Sequence, residues 1–236
     1  MIPTLRPGEP FPPLERALSY PDGLLAAGGD LAPGTLIDAY SRGIFPWSAE
    51  GQPLLWWSPD PRMVLPVAEF QVRRSLAKRV RQRPYAIRCD TGFRAVIEAC
   101  SATPRPGQDG TWITGAMIDA YCRLHTLGYA HSVEAWDGDR LVGGLYGIAL
   151  GRVFFGESMF AHASDASKIA LVHLVGHLRR LGVPLIDCQQ QTEHLATFGA
   201  RPVPRREFAR LLAELIHSHA PSGGWAAGAL PLDGPT

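Results

Sequence analysis

The segment HSVEAWDGDRLVGGLYGIALGRVFFGESMF, residues 131–160, carries the pattern that decides the fold. Two runs rich in apolar and β-branched residues, 131–136 and 140–150, flank the turn sequence DGD at 137–139, which is a strong hairpin signal. A glycine-containing turn then leads to a third apolar run at 153–159. The segment therefore predicts an antiparallel meander of three strands.

Helical periodicity flanks this meander on both sides. Residues 114–127 have an apolar stripe at spacing i, i+3, i+4 and i+7, which is typical of an amphipathic helix. After the meander, a helix that ends at Gly182 leads into a strand at 185–188. The predicted helices cover residues 35–42, 73–81, 91–99, 114–127, 165–181, 193–198 and 205–218. A meander followed by a helix and a further strand predicts an α+β fold.

Composition divides the chain into two predicted domains. Residues 1–67 are rich in proline, glycine and large aromatic residues and show little periodicity, so we predict a small N-terminal domain of loops and short elements. Residues 68–236, with the cleaner periodicity, form the second predicted domain. Within it, residues 221–236 carry too little pattern to indicate structure and are predicted to be a flexible tail.

The overall composition indicates a globular protein of the cytoplasm. The chain has 236 residues, 46% of them hydrophobic, and a formal net charge of +1, so it has enough apolar material to bury a sizeable core. No apolar run approaches the ~20 residues of a membrane span, and the first residues lack the layout of a signal peptide. The four cysteines form no CxxC pair and no metal-type spacing with histidine, so reduced thiols and no metal are expected.

Three polar side chains occur in unusually apolar surroundings. Glu157 lies among phenylalanine and methionine residues, and Asp187 and Gln189 follow Leu185-Ile186. A desolvated carboxylate without a partner costs several kcal/mol, so such residues are expected to face a cleft. Taken singly, Glu157 capping a turn and Asp187 ending a strand are the simpler interpretations. Their joint occurrence at neighbouring strand ends favours a polar site in an apolar pocket.

A cationic run precedes the meander and has two interpretations. Residues 71–88 contain no acidic residue, and arginine matches phosphate oxygens with a forked pair of donors. The run is either a surface for a polyanion or a solvated helix face, and on its own it slightly favours the second. The basic residues of the run are Arg73, Arg74, Lys78, Arg79, Arg81, Arg83 and Arg88, and the first six are the candidate contacts.

A series of longer motifs then identifies a family. The motifs are GLLAAGGDL (23–31), YSRGIFPW (40–47), WWSPDPR (56–62), GTWIT (110–114), AHSVE (130–134), GGLYG (143–147), FGESMF (155–160) and IDCQ (186–189). In this order, over about residues 11–212, they resemble the bacterial leucyl/phenylalanyl-tRNA–protein transferases. The resemblance implies a small N-terminal domain packed on an acyltransferase domain of the GCN5-related N-acetyltransferase type, with a mixed, mainly antiparallel sheet.

The resemblance also implies an activity and its substrates. Members of this family move Leu or Phe, and less readily Met, from charged tRNA to the α-amino group of proteins that begin with Arg or Lys. This reaction marks those proteins for degradation by the N-end rule. Leu-tRNA, Phe-tRNA and such acceptor proteins are therefore the expected partners, with no membrane, no DNA and no cofactor beyond the aminoacyl-tRNA.

Site roles follow from the same resemblance, position by position. Asp187 is expected to orient or activate the attacking amine, Gln189 to position the amine and the ester, and Glu157 to bind the substrate amine or the cationic acceptor side chain. Trp47 and Trp112 match the pair that holds the terminal adenine, and they are joined in the same cleft by Tyr40 and Tyr121. The expected pocket for the Leu or Phe side chain consists of Leu145, Phe154, Met159, Leu174 and Ile186.

With the family in view, the cationic run becomes a candidate surface for acceptor-stem phosphates, so its preferred interpretation reverses. The loop at 105–110, just before Trp112, is expected to affect how that ring meets adenine.

Three other classes of protein remain as alternatives. An acyl-CoA N-acetyltransferase would share the implied fold, but AHAS at 161–164 stands where a glycine-rich pyrophosphate loop is expected. A tRNA-dependent peptide-bridge ligase would share the charged-tRNA chemistry and differ in its acceptor. A non-enzymatic RNA-binding module would explain the cationic run and the tryptophans, but it would give Glu157, Asp187 and Gln189 no purpose.

Overall fold

The computed structural model describes residues 2–104, 111–217 and 224–230, whose strands form two sheets. The smaller sheet contains β1 (Thr4–Leu5), β2 (Leu24–Gly28), β3 (Phe45–Pro46) and β4 (Leu55–Trp57). The larger sheet contains β5 (Arg62–Pro66), β6 (Ala86–Cys89), β7 (Ala130–Asp137), β8 (Arg140–Leu150), β9 (Val153–Ala161), β10 (Leu185–Gln189), β11 (Arg201–Val203) and β12 (Gly228–Ala229). The helices are α1 (Pro33–Ser41), α2 (Arg74–Arg81), α3 (Phe93–Ala102), α4 (Gly115–Thr126), α5 (Ala166–Arg180), α6 (Glu193–Ala196) and α7 (Arg205–Ile216).

The predicted meander is confirmed as the centre of the larger sheet. Strands β7, β8 and β9 are consecutive antiparallel neighbours, and the sheet order is β11-β5-β10-β9-β8-β7-β6-β12. Among the described strands of the larger sheet, only β9 and β10 pair in parallel, and α5 makes the connection between them. The prediction of an α+β fold with a mixed, mainly antiparallel sheet is therefore confirmed.

The larger sheet is packed on both faces, because side chains alternate along each strand. On β9, Phe155 points to a core formed with α1, α3, α4 and the smaller sheet, whereas Phe154 points to a core formed with α2 and α5. Both rings are essentially inaccessible to solvent. The central strands therefore present one side chain to each of two cores, and residues at their ends are placed between these cores.

One prediction about the C-terminal residues is wrong. Residues 224–230, expected to belong to a flexible tail, contain β12, which pairs antiparallel with the edge strand β6. The backbone N–H of Leu230 donates to the carbonyl oxygen of Ile87 at 2.9 Å, and Nδ1 of His173 lies 2.8 Å from the carbonyl oxygen of Leu230. Backbone pairing with an existing edge orders this segment, and such pairing requires no periodicity in the sequence. The other residues of the predicted tail, 221–223 and 231–236, lie outside the described residues.

The predicted division of the chain into two domains at residue 67 stays a prediction. Strand β5, Arg62–Pro66, lies before that division in sequence but pairs with β10 and β11 of the larger sheet. The residues of β5 therefore belong to the same sheet as the strands after residue 67.

None of the described helices has the length and apolar character needed to cross a membrane.

Candidate active site

The candidate site lies where the parallel strands β9 and β10 separate. Their pairing ends at Phe155 and Asp187. Immediately beyond, each strand has a β-bulge: Glu157 is the extra residue of β9 opposite β8, and Cys188 is the extra residue of β10 opposite β5. A bulge turns one side chain out of the regular alternation. The two bulges thus direct polar groups into the gap between the strands, with Gln189 in a left-handed conformation at φ 61°.

Glu157 is the centre of a buried hydrogen-bond network. Tyr40 on α1 donates to its Oε1 at 2.8 Å, Tyr121 on α4 donates to its Oε2 at 3.1 Å, and the Gln189 side-chain amide donates to Oε1 at 2.6 Å. The hydroxyls of Tyr40 and Tyr121 are also in hydrogen-bond contact with each other. The network therefore joins the two helices to both strands of the gap.

Proton counting shows which charge state the network favours. The two tyrosine hydroxyls and the Glu157 carboxyl make three mutual contacts, but an ionised carboxylate leaves only two protons for them. A neutral carboxyl supplies the third proton. In agreement with this count, burial raises the pKa of Glu157 from its usual 4.5 to about 7, although the hydrogen bonds from Tyr40, Tyr121 and Gln189 oppose the shift. Glu157 is thus able to exchange a proton close to neutral pH.

This raised pKa makes a testable prediction about stability. The native state holds the Glu157 proton above the pH at which the unfolded chain releases it, so this contribution to stability is complete below about pH 4.5 and is lost as the pH rises through about 7. The variant Glu157→Gln has no such loss. We expect the free energy of unfolding of the wild type, minus that of the variant, to fall by about 2 kcal/mol between pH 5 and pH 8. Denaturant unfolding of both proteins across this range measures the difference, and parallel pH dependences would contradict the assignment.

Asp187 makes a buried ion pair behind the site. Its Oδ1 accepts from Nε of Arg62 at 2.8 Å, and its Oδ2 accepts from a terminal nitrogen of Arg62 at 2.6 Å, with both side chains fully buried. The backbone N–H of Gln189 also donates to Oδ1, at 2.9 Å. The Asp187 side chain does not line the cavity, and its nearest link to the cavity is the hydrogen bond from the backbone of Gln189, a lining residue. The expectation that Asp187 orients or activates the attacking amine stays a prediction, and this geometry allows such an effect only through neighbouring groups.

Arg62 is a residue that sequence reasoning missed. Its guanidinium lies between the rings of Phe45 and Phe208, 4.8 Å from each centroid, and donates to the carbonyl oxygen of Gly43 at 3.1 Å. These partners come from β3, α7 and the end of α1. One signal in the sequence indicates a buried role for this arginine: it is directly followed by the apolar run MVLPV at 63–67, which is expected to form a buried strand. A charged side chain next to a buried strand is costly unless it has a partner.

A mainly apolar cavity of about 600 Å³ opens beside Glu157 and Gln189. Its lining includes every predicted side-chain-pocket residue, namely Leu145, Phe154, Met159, Leu174 and Ile186, together with the two predicted adenine-binding residues Trp47 and Trp112. Sequence reasoning did not identify the further lining residues Phe45, Pro46, Leu65, Tyr146, Gly156, Ser158, Leu171, Cys188, Gln190, Thr192, His194 and Leu195. The structure therefore brings the predicted pocket together around one carboxyl group and one amide.

Tyr40 and Tyr121 occupy a different place from the one expected. Both side chains have no exposed surface, and they lie beneath Glu157 in the core that α1 and α4 form with the larger sheet. The expectation that they line the cleft is wrong for this structure. Their contact with the cleft is indirect, through the hydrogen bonds that they donate to Glu157.

The cationic run forms helix α2 and the residues next to it. Leu76 and Val80 are buried against the core shared with α5, and the basic side chains Arg73, Arg74, Lys78, Arg81 and Arg83 are exposed, with Arg79 partly so. Within the described ranges, no carboxylate lies at ion-pair distance from these six side chains. Helix α2 packs on α5, which also supplies Leu171 and Leu174 to the cavity.

One group of side chains has the spacing of a metal site. A ligand atom from each of Asp90, His125 and His131 lies within 4.8 Å of the others. However, Nδ1 of His131 is 2.7 Å from Asp90 and its Nε2 is 3.1 Å from the carbonyl oxygen of Gly128, while Nδ1 of His125 is 2.8 Å from that of Ala130. Because these ring nitrogens face hydrogen-bond acceptors, the arrangement fits a structural histidine–aspartate pair and not a set of metal ligands.

Comparison with known proteins bears on what this cavity does. Residues 64–213 match the family model described as leucyl/phenylalanyl-tRNA protein transferase, and residues 29–60 match the model of that family's N-terminal domain. The leucyl/phenylalanyl-tRNA–protein transferase of Chromobacterium violaceum is 55% identical over 225 residues, covering 95% of this chain and 96% of that protein. The one from Nitrosospira multiformis is 59% identical over 217 residues, covering 92% and 93%. A functionally unknown conserved protein from Staphylococcus epidermidis aligns structurally with a TM-score of 0.39 and 10% identity, over 77% of this chain and 68% of that one.

Proposed function

The chain belongs to the leucyl/phenylalanyl-tRNA protein transferase family, and from that premise we propose how its cavity serves the reaction. It is an aminoacyltransferase that transfers Leu or Phe from charged tRNA to a protein. The proposal rests on one observation above all: an apolar cavity of about 600 Å³ has a carboxyl group and an amide on its wall. The aminoacyl group of a charged tRNA has an apolar side chain, which matches the apolar lining of the cavity. It also has an amine and an ester, which are able to form hydrogen bonds with the carboxyl group and the amide on the wall.

The apolar part of the cavity takes the side chain of the aminoacyl group. Leu145, Phe154, Met159, Leu174 and Ile186 offer apolar surface without a hydrogen-bonding side chain. Pockets of this kind discriminate one methylene by only ~1–3 kcal/mol, so Leu, Phe and Met are all expected to enter, with different efficiencies. The 3′-terminal adenine lies at Trp47 and Trp112, since aromatic rings stack on any base. The exposed cations of α2 contact the acceptor-stem phosphates without reading sequence.

The chemical step needs positioning more than activation, because the ester on the tRNA is already activated. The acceptor amine, with a pKa near ~7.7–8.0, must lose a proton as its nitrogen attacks the ester carbonyl carbon. An amide bond then forms, the bond to the ribose 3′ oxygen breaks, and that oxygen leaves with a proton. Glu157 is the group able to exchange this proton. The side-chain amide of Gln189 donates to the Glu157 carboxyl, fixes its position, and orients the amine and the ester. Asp187 acts as a positioning residue, through the backbone of Gln189 and through Arg62.

The acceptors are proteins that begin with Arg or Lys, and the product is marked for degradation by the N-end rule. Glu157 supports this choice, because its carboxyl group, with a pKa of about 7, is ionised in part at neutral pH and then attracts either the amine or a cationic side chain beside it. We also propose that the larger sheet has the architecture of GCN5-related N-acetyltransferases, that residues 1–67 and 68–236 form the two domains, and that the protein acts in the cytoplasm, where charged tRNA is made. No cofactor other than the aminoacyl-tRNA is required.

Transfer of labelled leucine to two matched peptides tests this proposal. Purified protein is incubated with radiolabelled Leu-tRNA and peptides that differ only in beginning with Arg or Ala, and acetyl-CoA with unlabelled peptide is the parallel control. We expect label on the Arg peptide at a rate at least about tenfold above that on the Ala peptide, which corresponds to about 1.4 kcal/mol of discrimination. Equal rates would overturn the acceptor assignment. Acetylation in the control would favour the acyl-CoA alternative, and tRNA binding without transfer would favour a binding module or a different acceptor.

A further inference from the structure

Trp225 lies outside both of the ranges that match the family models, in the segment that contains β12. Its indole ring stacks on the imidazole of His131, with centroids 4.1 Å apart and an interplanar angle of 11°. It also stacks on the ring of Phe154 at 5.8 Å and meets the imidazole of His177 edge-on at 4.7 Å. Phe154 is a lining residue of the cavity, so Trp225 contacts the cavity wall from behind.

Two neighbours of the Phe154 ring differ in how they limit its movement. On the adjacent strand β8, Gly147 leaves room for the ring, since a Cβ atom at that position would come within 2.6 Å of two of the ring carbons. Movement toward β8 is therefore blocked by backbone, whereas the contact with Trp225 is a contact with one side chain. The indole is accordingly a side-chain neighbour whose removal gives the Phe154 ring new space on the face away from the cavity.

The indole is itself held firmly. His131, on which it stacks, has hydrogen-bond acceptors at both ring nitrogens, Asp90 Oδ2 at 2.7 Å and the carbonyl oxygen of Gly128 at 3.1 Å, which fix the plane of the imidazole. On the C-terminal side, pairing of β12 with β6 anchors the segment, and Leu230 is buried. The contact with His131 and the pairing of β12 thus hold the Trp225 indole in a defined position against Phe154.

We propose that Trp225 is a positioning residue that sets the size of the side-chain cavity through Phe154, and thereby sets the preference between leucine and phenylalanine. This inference rests on the proposed function of the cavity as the site for the aminoacyl side chain. Removal of the indole leaves a void behind Phe154 that the surroundings fill only in part, so the wall yields more easily to a large substrate. The larger phenylalanine side chain gains more from a yielding wall than leucine does.

The test compares Phe-tRNA and Leu-tRNA as donors for one peptide that begins with Arg. The ratio of their kcat/KM values is measured for the wild type, Trp225→Ala, Trp225→Phe and the control Trp136→Ala. Trp136 is another half-buried tryptophan of the larger sheet, it contacts Arg88 and Gly92, and it does not line the cavity. A ratio cancels the fraction of folded protein, so loss of stability alone does not change it.

We expect the ratio of kcat/KM for Phe-tRNA to kcat/KM for Leu-tRNA to rise about threefold to tenfold in Trp225→Ala. This change is smaller than the ~10–200-fold discrimination that one methylene group of a substrate produces in an apolar pocket. Trp225→Phe keeps an aromatic ring against Phe154 and is expected to change the ratio in the same direction by less. Trp136→Ala is expected to leave it unchanged. If Trp225→Ala does not fold, a rise in Trp225→Phe above the Trp136→Ala control supports the proposal.

Two results would overturn the proposal: an unchanged ratio in the folded Trp225 variants, or an equal rise in Trp136→Ala. Absence of transfer by the wild type with either donor would instead contradict the proposed function itself.

Discussion

Replacing Arg62 with alanine is expected to lower the free energy of unfolding by about 3–5 kcal/mol, because it leaves the buried carboxylate of Asp187 without its charge partner. Both side chains are completely buried, and Arg62 provides two of the three hydrogen bonds to that carboxylate. The substitution also empties the space between the Phe45 and Phe208 rings. Denaturant unfolding at neutral pH measures the loss.

A surface pair on α7 provides the matched control. Arg210 and Glu214 form an ion pair of 2.8 Å, but both side chains are more than half exposed, so Arg210→Ala is expected to cost at most about 1 kcal/mol. The double variant Arg62→Met with Asp187→Leu, which removes both charges, is expected to recover much of the stability that Arg62→Ala loses. Equal losses of stability in Arg62→Ala and Arg210→Ala would contradict the expected cost of leaving the buried carboxylate of Asp187 without its charge partner.

Replacing Glu157 with glutamine is expected to lower the rate of transfer about a hundredfold or more, within the ~10²–10⁴ that a positioned acid or base contributes. Glutamine has nearly the same shape and keeps an oxygen that accepts from Tyr40 and Gln189, but it cannot exchange a proton near neutral pH. Single-turnover transfer from Leu-tRNA to a peptide that begins with Arg measures the effect. Binding of Leu-tRNA is expected to change little, because Trp47, Trp112 and α2 are untouched.

Glu134→Gln is the matched control for this prediction. Glu134 is another buried carboxylate of the larger sheet, but it accepts from Thr91, Gly92 and Ser132 and does not line the cavity. The folded fraction of this variant is expected to transfer leucine at close to the rate of the wild type. Retention of more than about one tenth of the activity by Glu157→Gln would contradict the assigned role, because a general base is worth at least ~10²-fold.

The sequence predicts those features that depend on local pattern. The hairpin around Gly138 and the helix that ends at Gly182 follow from turn chemistry and periodicity, and the structure confirms them. The five pocket residues and the two tryptophans were expected to meet on the basis of the family resemblance, and they line one cavity.

Other features depend on contacts between distant segments, which local pattern does not encode. Arg62 and Asp187 are 125 residues apart, and Tyr40 and Tyr121 are 81 apart. The buried ion pair of Asp187 could not be predicted for this reason, since nothing near Asp187 in sequence indicates the guanidinium that donates to its oxygens. Trp225 was placed in a flexible tail because edge pairing of a short, aperiodic strand leaves no signal in the sequence.

The most direct test of the central claim is a crystal structure of the protein with a stable donor analogue, 3′-amino-3′-deoxyadenosine whose 3′ nitrogen is joined to phenylalanine by an amide bond. We predict that the phenyl ring lies in the cavity against Phe154, Met159 and Leu174, that the adenine lies at Trp47 and Trp112, and that the amide lies beside Glu157 and Gln189. A phenyl ring bound outside this cavity, with the cavity left empty, would contradict the claim that the gap between β9 and β10 is the site of aminoacyl transfer.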